Sequence, residues 1–188
     1  REASKQEILR RYYESLRRLL LGQCSDNEVY TIEMLMNQAG VTIHDRKVVD
    51  AALEYEKITN GPAAAIELHD GRIIKGKTSK LLGATAAMLL NALKDLAGIE
   101  HSCHVISPEA IEPKYLGNKN PRLHTDEVLI ALSVSAASNP LAKKALEQLP
   151  NLAGCQAHTS VMVSSVDIKQ LKRLSIQATY EAKYEKRD

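Results

Sequence analysis

The sequence predicts an α/β fold, with an N-terminal helical subdomain over residues 1–60 and a mixed β-sheet domain flanked by helices over residues 61–188. In the first part, apolar residues recur every three or four positions, which is the period of an amphipathic helix. Asn60-Gly61-Pro62 then breaks this pattern. The rest of the chain alternates strand-like runs with helical stretches, and helical crossovers join parallel strands. We therefore expect a sheet with both parallel and antiparallel neighbours.

Three helices are expected in the helical subdomain. Ser4 and Ser25 are each followed three residues later by a glutamate, the spacing of a capping box, and they are expected to begin the first two helices. Gly22 and Gly40 are expected to end them. A third amphipathic stretch covers about residues 45–57.

The mixed-sheet domain is expected to follow the order β-β-α-β-α-β-α-β. Asp70-Gly71 is a strong hairpin signal between the first two strands. The helix that follows is apolar almost all round, which places it against the sheet, and Thr125 is expected to cap the next helix. The expected strands are 63–68, 72–77, 101–107, 156–163 and 176–181, and the expected helices are 81–97, 125–149 with a break at Asn139-Pro140, and 165–174.

Composition excludes several function classes. A net charge of +2 is too balanced for a protein that binds nucleic acid by neutralising phosphates. The absence of Trp and Phe argues against base-stacking platforms. No apolar run is long enough to span a membrane and no signal peptide is visible, so a cytoplasmic location is expected. Three widely spaced cysteines fit free thiols in a reducing compartment.

The segment Gly71–Thr78 matches the pattern of a phosphate-binding P-loop. The alternative is a β-hairpin, because Arg72-Ile73-Ile74-Lys75 is β-prone and directly follows the Asp70-Gly71 turn. The sequence favours the hairpin.

A second interpretation of the same region needs no P-loop. Lys77, Thr78 and Ser79 are expected at the N-terminus of the buried helix, where free N–H groups and the helix dipole attract an anion. The simpler alternative is that Ser79 caps the helix and the lysines are solvated.

The loop 118–127 is the other candidate site. It brings amides, a guanidinium, an imidazole and carboxylates to a helix start, among them Asn120, Arg122, His124 and Asp126. Polar chemistry concentrated in a loop is the usual setting of a functional site. The alternative is that the acidic residues are ordinary first-turn residues that complement the helix dipole.

Several sequence motifs of the chain resemble those of a known family. Gly76-Lys77-Thr78-Ser79, Asn91-Ala92-Leu93-Lys94 and the long run from Asn120 to Ile130 are similar to the bacterial family known as domain of unknown function 1846. The resemblance covers essentially the whole chain. It implies the C-terminal region of a longer bacterial protein, whose upstream region is a partner and carries its own P-loop-like segment. The family usually has several more residues between Pro113 and Tyr115.

The element order after Gly61 also resembles the cytidine deaminase fold, a three-layer arrangement whose site lies between two helix N-termini. The matching positions are Thr78 and Ser79 at one helix, and Ser107, Pro108 and Glu109 at the other. The zinc signature of that fold is missing. The resemblance thus implies the fold without zinc-dependent deamination, and no metal site is expected.

Two functional hypotheses follow. In the first, the chain contributes part of an active site for an anionic substrate, a phosphorylated metabolite or nucleotide, with His124 or Glu109 as general acid or base. The expected ligand-binding residues are Lys77, Thr78, Ser79, Ser107, Asn120, Arg122 and Asp126. In the second, the chain is a structural domain that docks on the upstream region or forms a homo-oligomer. The residues identify no cofactor.

Overall fold

A computed structural model describes residues 1–107 and 122–186 of the chain. Within these ranges the elements alternate as an α/β fold, which confirms the predicted fold class. The elements are α1 (Glu2–Leu20), α2 (Asp26–Ala39), α3 (Lys47–Thr59), β1 (Ala63–Glu67), β2 (Ile73–Lys77), α4 (Ala84–Leu96), α5 (Thr125–Ala136), α6 (Pro140–Leu146), β3 (Gln156–Thr159), α7 (Ser165–Arg173) and β4 (Gln177–Tyr180), with short 3₁₀ turns at Ile43–Asp45 and Leu149–Leu152.

The first three helices form as predicted, with one correction at the start of α1. Ser4 does not cap this helix, which begins two residues earlier at Glu2. The Glu2 carboxylate lies in the first turn, where it complements the helix dipole, and it accepts a 3.0 Å hydrogen bond from the Gln6 amide. α2 follows Ser25 as predicted, and Gly40 ends it in the left-handed conformation with φ 67°.

The four strands form one mixed sheet in the order β2-β1-β3-β4. β1 runs antiparallel to both of its neighbours, and β3 runs parallel to β4. Helix α7 connects the parallel pair, as a crossover must. The carboxyl ends of β3 and β4 therefore open at the same edge of the sheet.

The segment Gly71–Thr78 is a hairpin strand, and the P-loop interpretation is wrong. Ile74 pairs with Ile66 and Gly76 pairs with Ala64, so the interior of the pattern is committed to the sheet and cannot wrap a phosphate. Helix α4 crosses β2 at Gly76, where a Cβ atom would lie 2.1 Å from the backbone nitrogen of Met88. The lack of a side chain at this glycine allows the helix to pack closely on the strand.

The strand predicted over residues 101–107 does not form, since these residues are turns and irregular chain. The buried Lys94 side chain explains the difference. Its ammonium donates to the carbonyls of His101 at 2.8 Å and Cys103 at 2.5 Å. A lysine thus takes the acceptors that a neighbouring strand would have used.

Helices cover both faces of the sheet. On one face, α3 packs Val48 and Ala52 against Ala65 of β1, and α1 contacts β4. On the other face, Ala64 and Ile66 belong to the main core with the apolar side of α4. The division at residue 60 stays a prediction. Of the helices in this part, α1 and α3 lie on the sheet and form the helical layer, and α2 packs on α1.

Arg46 ties this helical layer to the sheet. It is fully buried, and its guanidinium donates to the side chains of Gln6 and Gln156 and to the carbonyls of Ala157 and Gln177 at 2.6–2.9 Å. Burial, reinforced by the charge of Arg10, lowers the pKa of Arg46 to about 10. All of its hydrogen-bonding directions are used inside the protein.

His158 continues the same buried network. The Arg46 Nε donates to the Thr179 hydroxyl at 3.0 Å, and that oxygen lies 2.7 Å from Nδ1 of His158. The Nε2 atom of His158 lies 2.6 Å from the Glu181 carboxylate, and the Tyr13 ring packs 4.8 Å from the imidazole. Burial lowers the pKa of His158, against the opposing effect of Glu181. The imidazole is therefore held neutral, with Nε2 as donor to Glu181.

Candidate ligand-binding cleft

A cleft of about 330 Å³ opens at the carboxyl ends of β3 and β4. Three helix N-termini, those of α4, α5 and α7, contribute to its wall. Its described lining consists of Pro62, Ala63, Thr78, Gly83, Ala84, Thr85, Ala86, Arg122, Leu123, His124, Thr159, Val161, Met162, Val163, Ser164, Asp167 and Glu185.

Two other hollows are larger but chemically less organised. A groove of about 520 Å³ lies between α1 and α2, where Arg18 is paired with Glu28 across the helices. A hollow of about 830 Å³ lies at the opposite end of the sheet. We place the candidate site in the smaller cleft because ligands of α/β sheets bind at the carboxyl ends of parallel strands.

Two chain segments that are distant in sequence meet at the mouth of this cleft. The N–H of Leu123 donates to the Leu81 carbonyl at 2.7 Å, and the N–H of Gly83 donates to the Leu123 carbonyl at 3.2 Å. Leu82 and Leu123 form an isolated parallel bridge. This pairing brings His124 beside the start of α4.

The N-terminus of α4 is open towards the cleft. Gly83 is the N-cap, with φ −68° and ψ 160°, and it has no side chain to cap the helix. Among the described residues, no acceptor is bonded to the first-turn N–H groups of residues 84–86, which an α-helix leaves without internal partners. The end of the helix dipole adds partial positive charge at this point.

Thr85 points to the same place. The residue is only 5% exposed and lines the cleft. Its hydroxyl makes no hydrogen bond with another described residue. Since none of the side-chain N or O atoms shut off from solvent in the described ranges lacks a partner, this oxygen keeps contact with solvent. An acceptor in the cleft would satisfy both this hydroxyl and the open N–H groups.

The other two helix starts are already capped. The Asp167 carboxylate accepts from the backbone N–H of Thr125 at 3.0 Å and from the Thr125 hydroxyl. The Ser164 hydroxyl accepts from the N–H of Asp167 at 3.2 Å, and Glu127 accepts from the N–H of His124 at 3.1 Å. The open end of α4 is thus the anion-attracting wall.

His124, and not Thr125, is the N-cap of α5. Thr125 is instead the first residue of the helix. Its side chain is buried, and its hydroxyl is bonded to Asp167. Nδ1 of His124 lies 3.6 Å from Asp167, and Arg122 lies 3.4 Å from Glu185. The cleft lining therefore contains both positive and negative groups. The carboxylates accept hydrogen bonds, whereas the open end of α4 presents hydrogen-bond donors.

The structure brings some of the predicted site residues together and separates others. Thr78, Arg122 and His124 line the cleft. Lys77 is exposed and paired with Ala63 in the hairpin. Asp126 lies in the first turn of α5, outside the described lining. The functional roles of these residues therefore remain predictions.

Ser79 and Ser107 take structural positions. The Ser79 hydroxyl accepts from the N–H groups of Leu81 and Leu82, and the helix predicted from residue 81 begins three residues later at Ala84, so Ser79 does not cap it. The N–H of Ser107 donates to the Ser135 hydroxyl at 2.8 Å, in the last turn of α5 and remote from His124. Residues Pro108, Glu109 and Asn120 lie outside the described residues.

Sequence reasoning missed Thr85, Gly83 and Asp167. Ser164 and Asp167 have the spacing of a helix-start signal, which is a local cue for the capping of α7 but not for the contact with Thr125. Gly83 and Thr85 could be recognised as site residues only once the structure placed the start of α4 later than the sequence predicts.

The described residues contain neither a metal-ligand cluster nor a membrane-spanning helix. No group of three or more His, Cys, Asp or Glu side chains within them is placed to hold a metal ion. None of their helices combines the length and the apolar character needed to cross a membrane.

Comparison with known proteins identifies relatives of the chain. A family model described as "Domain of unknown function DUF1846, C-terminal" matches residues 44–188. The chain is 50% identical over 192 residues to a UPF0371 protein of Corynebacterium glutamicum and 51% identical over 193 residues to one of Corynebacterium efficiens. It is 43% identical over 191 residues to a UPF0371 protein of Streptococcus thermophilus. These matches cover 98–100% of the chain, which spans only 39% of the length of each of these curated relatives.

Proposed function

The chain belongs to the family of domain of unknown function DUF1846, as its C-terminal domain, and on that premise we propose that it supplies one wall of an anion-binding site to a longer bacterial protein. The ligand is of phosphate type. The site is the cleft at the carboxyl ends of β3 and β4, and the protein works in the cytoplasm, where its free thiols stay reduced.

The open N-terminus of α4, beside the hydroxyl of the nearly buried residue Thr85, carries this proposal. Helix N-termini bind phosphate because the first-turn N–H groups point along the axis and the dipole favours negative charge. Thr85 adds a hydroxyl donor inside the cleft, and Thr78 lines the cleft with a second hydroxyl. Neither hydroxyl is bonded to another described residue.

His124 is the proposed general acid or base of this site. It is the half-exposed imidazole in the lining, with 45% of its side chain accessible, and it lies beside the start of α4. Arg122 already has Glu185 as a partner, so its contribution is to the charge of the rim. Lys77 and Ser79 lie outside the described lining and have no role in this proposal.

Thermal denaturation with inorganic phosphate tests the proposal. A ligand at about 100 times its Kd adds roughly 2.7 kcal/mol to the free energy of unfolding. For a chain of this size that corresponds to an increase in Tm on the order of 5–10 °C. Thr85→Val should reduce the shift because it removes the hydroxyl and keeps the shape, whereas Thr85→Ser should retain it. Equal shifts in both variants, or no shift in the wild type, would contradict the proposal.

The second candidate function is docking of the upstream region, and one surface favours it. Ile130 and Val134 are 63% and 55% exposed, and they lie four residues apart on one side of α5. Leu141 of α6 is 41% exposed. A cysteine placed at Ile130 should react more slowly with a maleimide in the longer protein than in the isolated chain. A cysteine at Ile58 on α3 is the control, and equal rates at Ile130 would contradict docking there.

A further inference from the structure

We propose that the cleft accepts the phosphate monoester of a small hydroxylated molecule, such as a sugar phosphate, and rejects nucleoside polyphosphates. This inference rests on the proposed function, because it takes the open N-terminus of α4 as the phosphate-binding end. It adds three properties of the cleft around that helix end: the charge of its lining, the chemical character of its walls and its volume.

The charge of the lining limits the ligand to one phosphate. Arg122 is the permanent cation of the described lining, and it lies beside the carboxylate of Glu185, while the imidazole of His124 lies beside that of Asp167. Arg122 and Glu185 form an ion pair at 3.4 Å, so the charges that these two residues contribute to the rim offset each other. Polyphosphate sites instead use lysine or arginine together with Mg²⁺. One helix end and two hydroxyls suit a single phosphate group.

A metal-bound polyphosphate does not fit the described residues either. Mg²⁺ in such sites is held by carboxylates and by the phosphates themselves. Within the described ranges, no cluster of His, Cys, Asp and Glu is arranged for a metal ion. The Oδ1 atom of Asp167 is engaged by the N–H and the hydroxyl of Thr125. Among the described lining residues, the charge of a triphosphate would therefore meet Arg122 alone as a permanent cation.

The carboxylates suit a ligand body that carries hydroxyl groups. Ionised carboxylates only accept hydrogen bonds, so they select donors. The Oδ2 atom of Asp167, a lining residue, lies 3.6 Å from Nδ1 of His124, and Glu185 stands at the rim with 47% of its side chain exposed. A polyol presents O–H donors in several directions. An anionic body would be repelled.

Much of the remaining described wall consists of short aliphatic side chains. Val161, Met162 and Val163 follow β3, and Pro62 precedes β1. The described lining contains no aromatic ring on which a nucleobase could stack. The volume of about 330 Å³ lies at the small end of ligand sites, which span roughly 300–1,000 Å³. Aliphatic C–H faces pack well against a sugar ring.

Calorimetric titration of the full-length protein separates these ligands. The probes are inorganic phosphate, glycerol 3-phosphate, ribose 5-phosphate, glucose 6-phosphate, AMP and Mg-ATP, and unphosphorylated glucose is the negative control. Only binding that is lost in Gly83→Asp counts, because this change places a carboxylate at the open end of α4 and leaves any upstream nucleotide site intact. At least one sugar phosphate should bind tenfold more tightly than inorganic phosphate and tenfold more tightly than Mg-ATP.

Glu185→Gln provides the second measurement. Glu185 is on the surface, so its replacement should leave the fold intact. The variant should bind the preferred sugar phosphate several-fold more weakly and inorganic phosphate equally well or better. If Mg-ATP or AMP binds most tightly, or if sugar phosphates bind no better than phosphate, this inference is overturned while the proposed function stands. If no probe shows binding sensitive to Gly83→Asp, the proposed function itself fails.

Discussion

The backbone N–H of Gly83 donates a 3.2 Å hydrogen bond to the carbonyl of Leu123. This bond ends the extended segment before α4 and fixes the N-terminus of the helix beside His124. Because Gly83 has no side chain, the N–H groups that follow it remain open to the cleft. A contact between two residues forty positions apart thus creates the candidate anion site.

Gly76→Ala should strongly destabilise the fold. A Cβ atom at this position would lie 2.1 Å from Met88 N and 2.7 Å from the Ala84 carbonyl oxygen, and both atoms belong to the backbone. The helix must move away from β2, and overpacking of this kind costs about 3 kcal/mol or more. The midpoint of urea unfolding measures the loss. Gly61→Ala is the matched control, because nothing lies within 4 Å of its Cβ position; a similar loss in both would contradict the close-packing role.

Arg46→Lys should lower the free energy of unfolding by about 3 kcal/mol. A lysine cannot reach all the acceptors of the guanidinium, and buried acceptors left without a donor cost about 1–3 kcal/mol each. Arg17→Lys is the control, since its ion pair with Glu14 is on the surface and contributes less than about 1 kcal/mol. Urea unfolding of both variants provides the comparison. A loss at Arg46 no larger than at Arg17 would show that the network does not hold the layers together.

Stability should fall as the pH drops below the ordinary pKa of histidine, about 6.5, because of His158. Burial lowers the pKa of His158 in the folded state. The unfolded chain therefore takes up the proton first, so the stability present above pH 6.5 is lost as the pH falls towards the folded-state pKa. The loss is at most about 1.4 kcal/mol per pH unit for one proton.

Urea unfolding at pH 5, 6, 7 and 8 measures this dependence. His158→Gln should flatten the slope below pH 6.5, since the group that titrates is removed. His104→Gln, at an exposed position, should keep the wild-type slope. Identical slopes in the wild type and His158→Gln would mean that another group sets the acid sensitivity.

The local part of the fold could be predicted from the sequence. Periodicity and turn residues gave the first three helices and the hairpin at Asp70-Gly71, and the crossover rule gave the mixed sheet. The sequence predicts the start of α4 three residues too early, which shows the limit of local sequence patterns. Residues 81–83 continue the apolar helical period, but they pair with the segment around Leu123, a contact that no local signal reports.

The candidate site was predictable only in part for the same reason. Arg122 and His124 are noticeable in sequence because polar groups concentrate in their loop. Thr85 is a polar residue in the apolar first half of α4, and its role depends on its position in the cleft, where no other described residue bonds its hydroxyl. Likewise Asp167 acts through Thr125, forty-two positions away. The strand predicted at 101–107 failed because a buried lysine took its carbonyls.

The most direct test of the anion-binding account is a calorimetric titration of inorganic phosphate into the wild type, Gly83→Asp and Gly83→Asn. Gly83 has N-cap geometry and space for a side chain, since its nearest neighbour to a Cβ position is the Leu123 carbonyl oxygen at 3.8 Å. Both substitutions should cap α4 and raise stability by a few tenths of a kcal/mol. Aspartate adds a negative charge where the phosphate should bind. The account predicts that Gly83→Asp abolishes binding and Gly83→Asn weakens it less, and phosphate affinity unchanged in Gly83→Asp would contradict it.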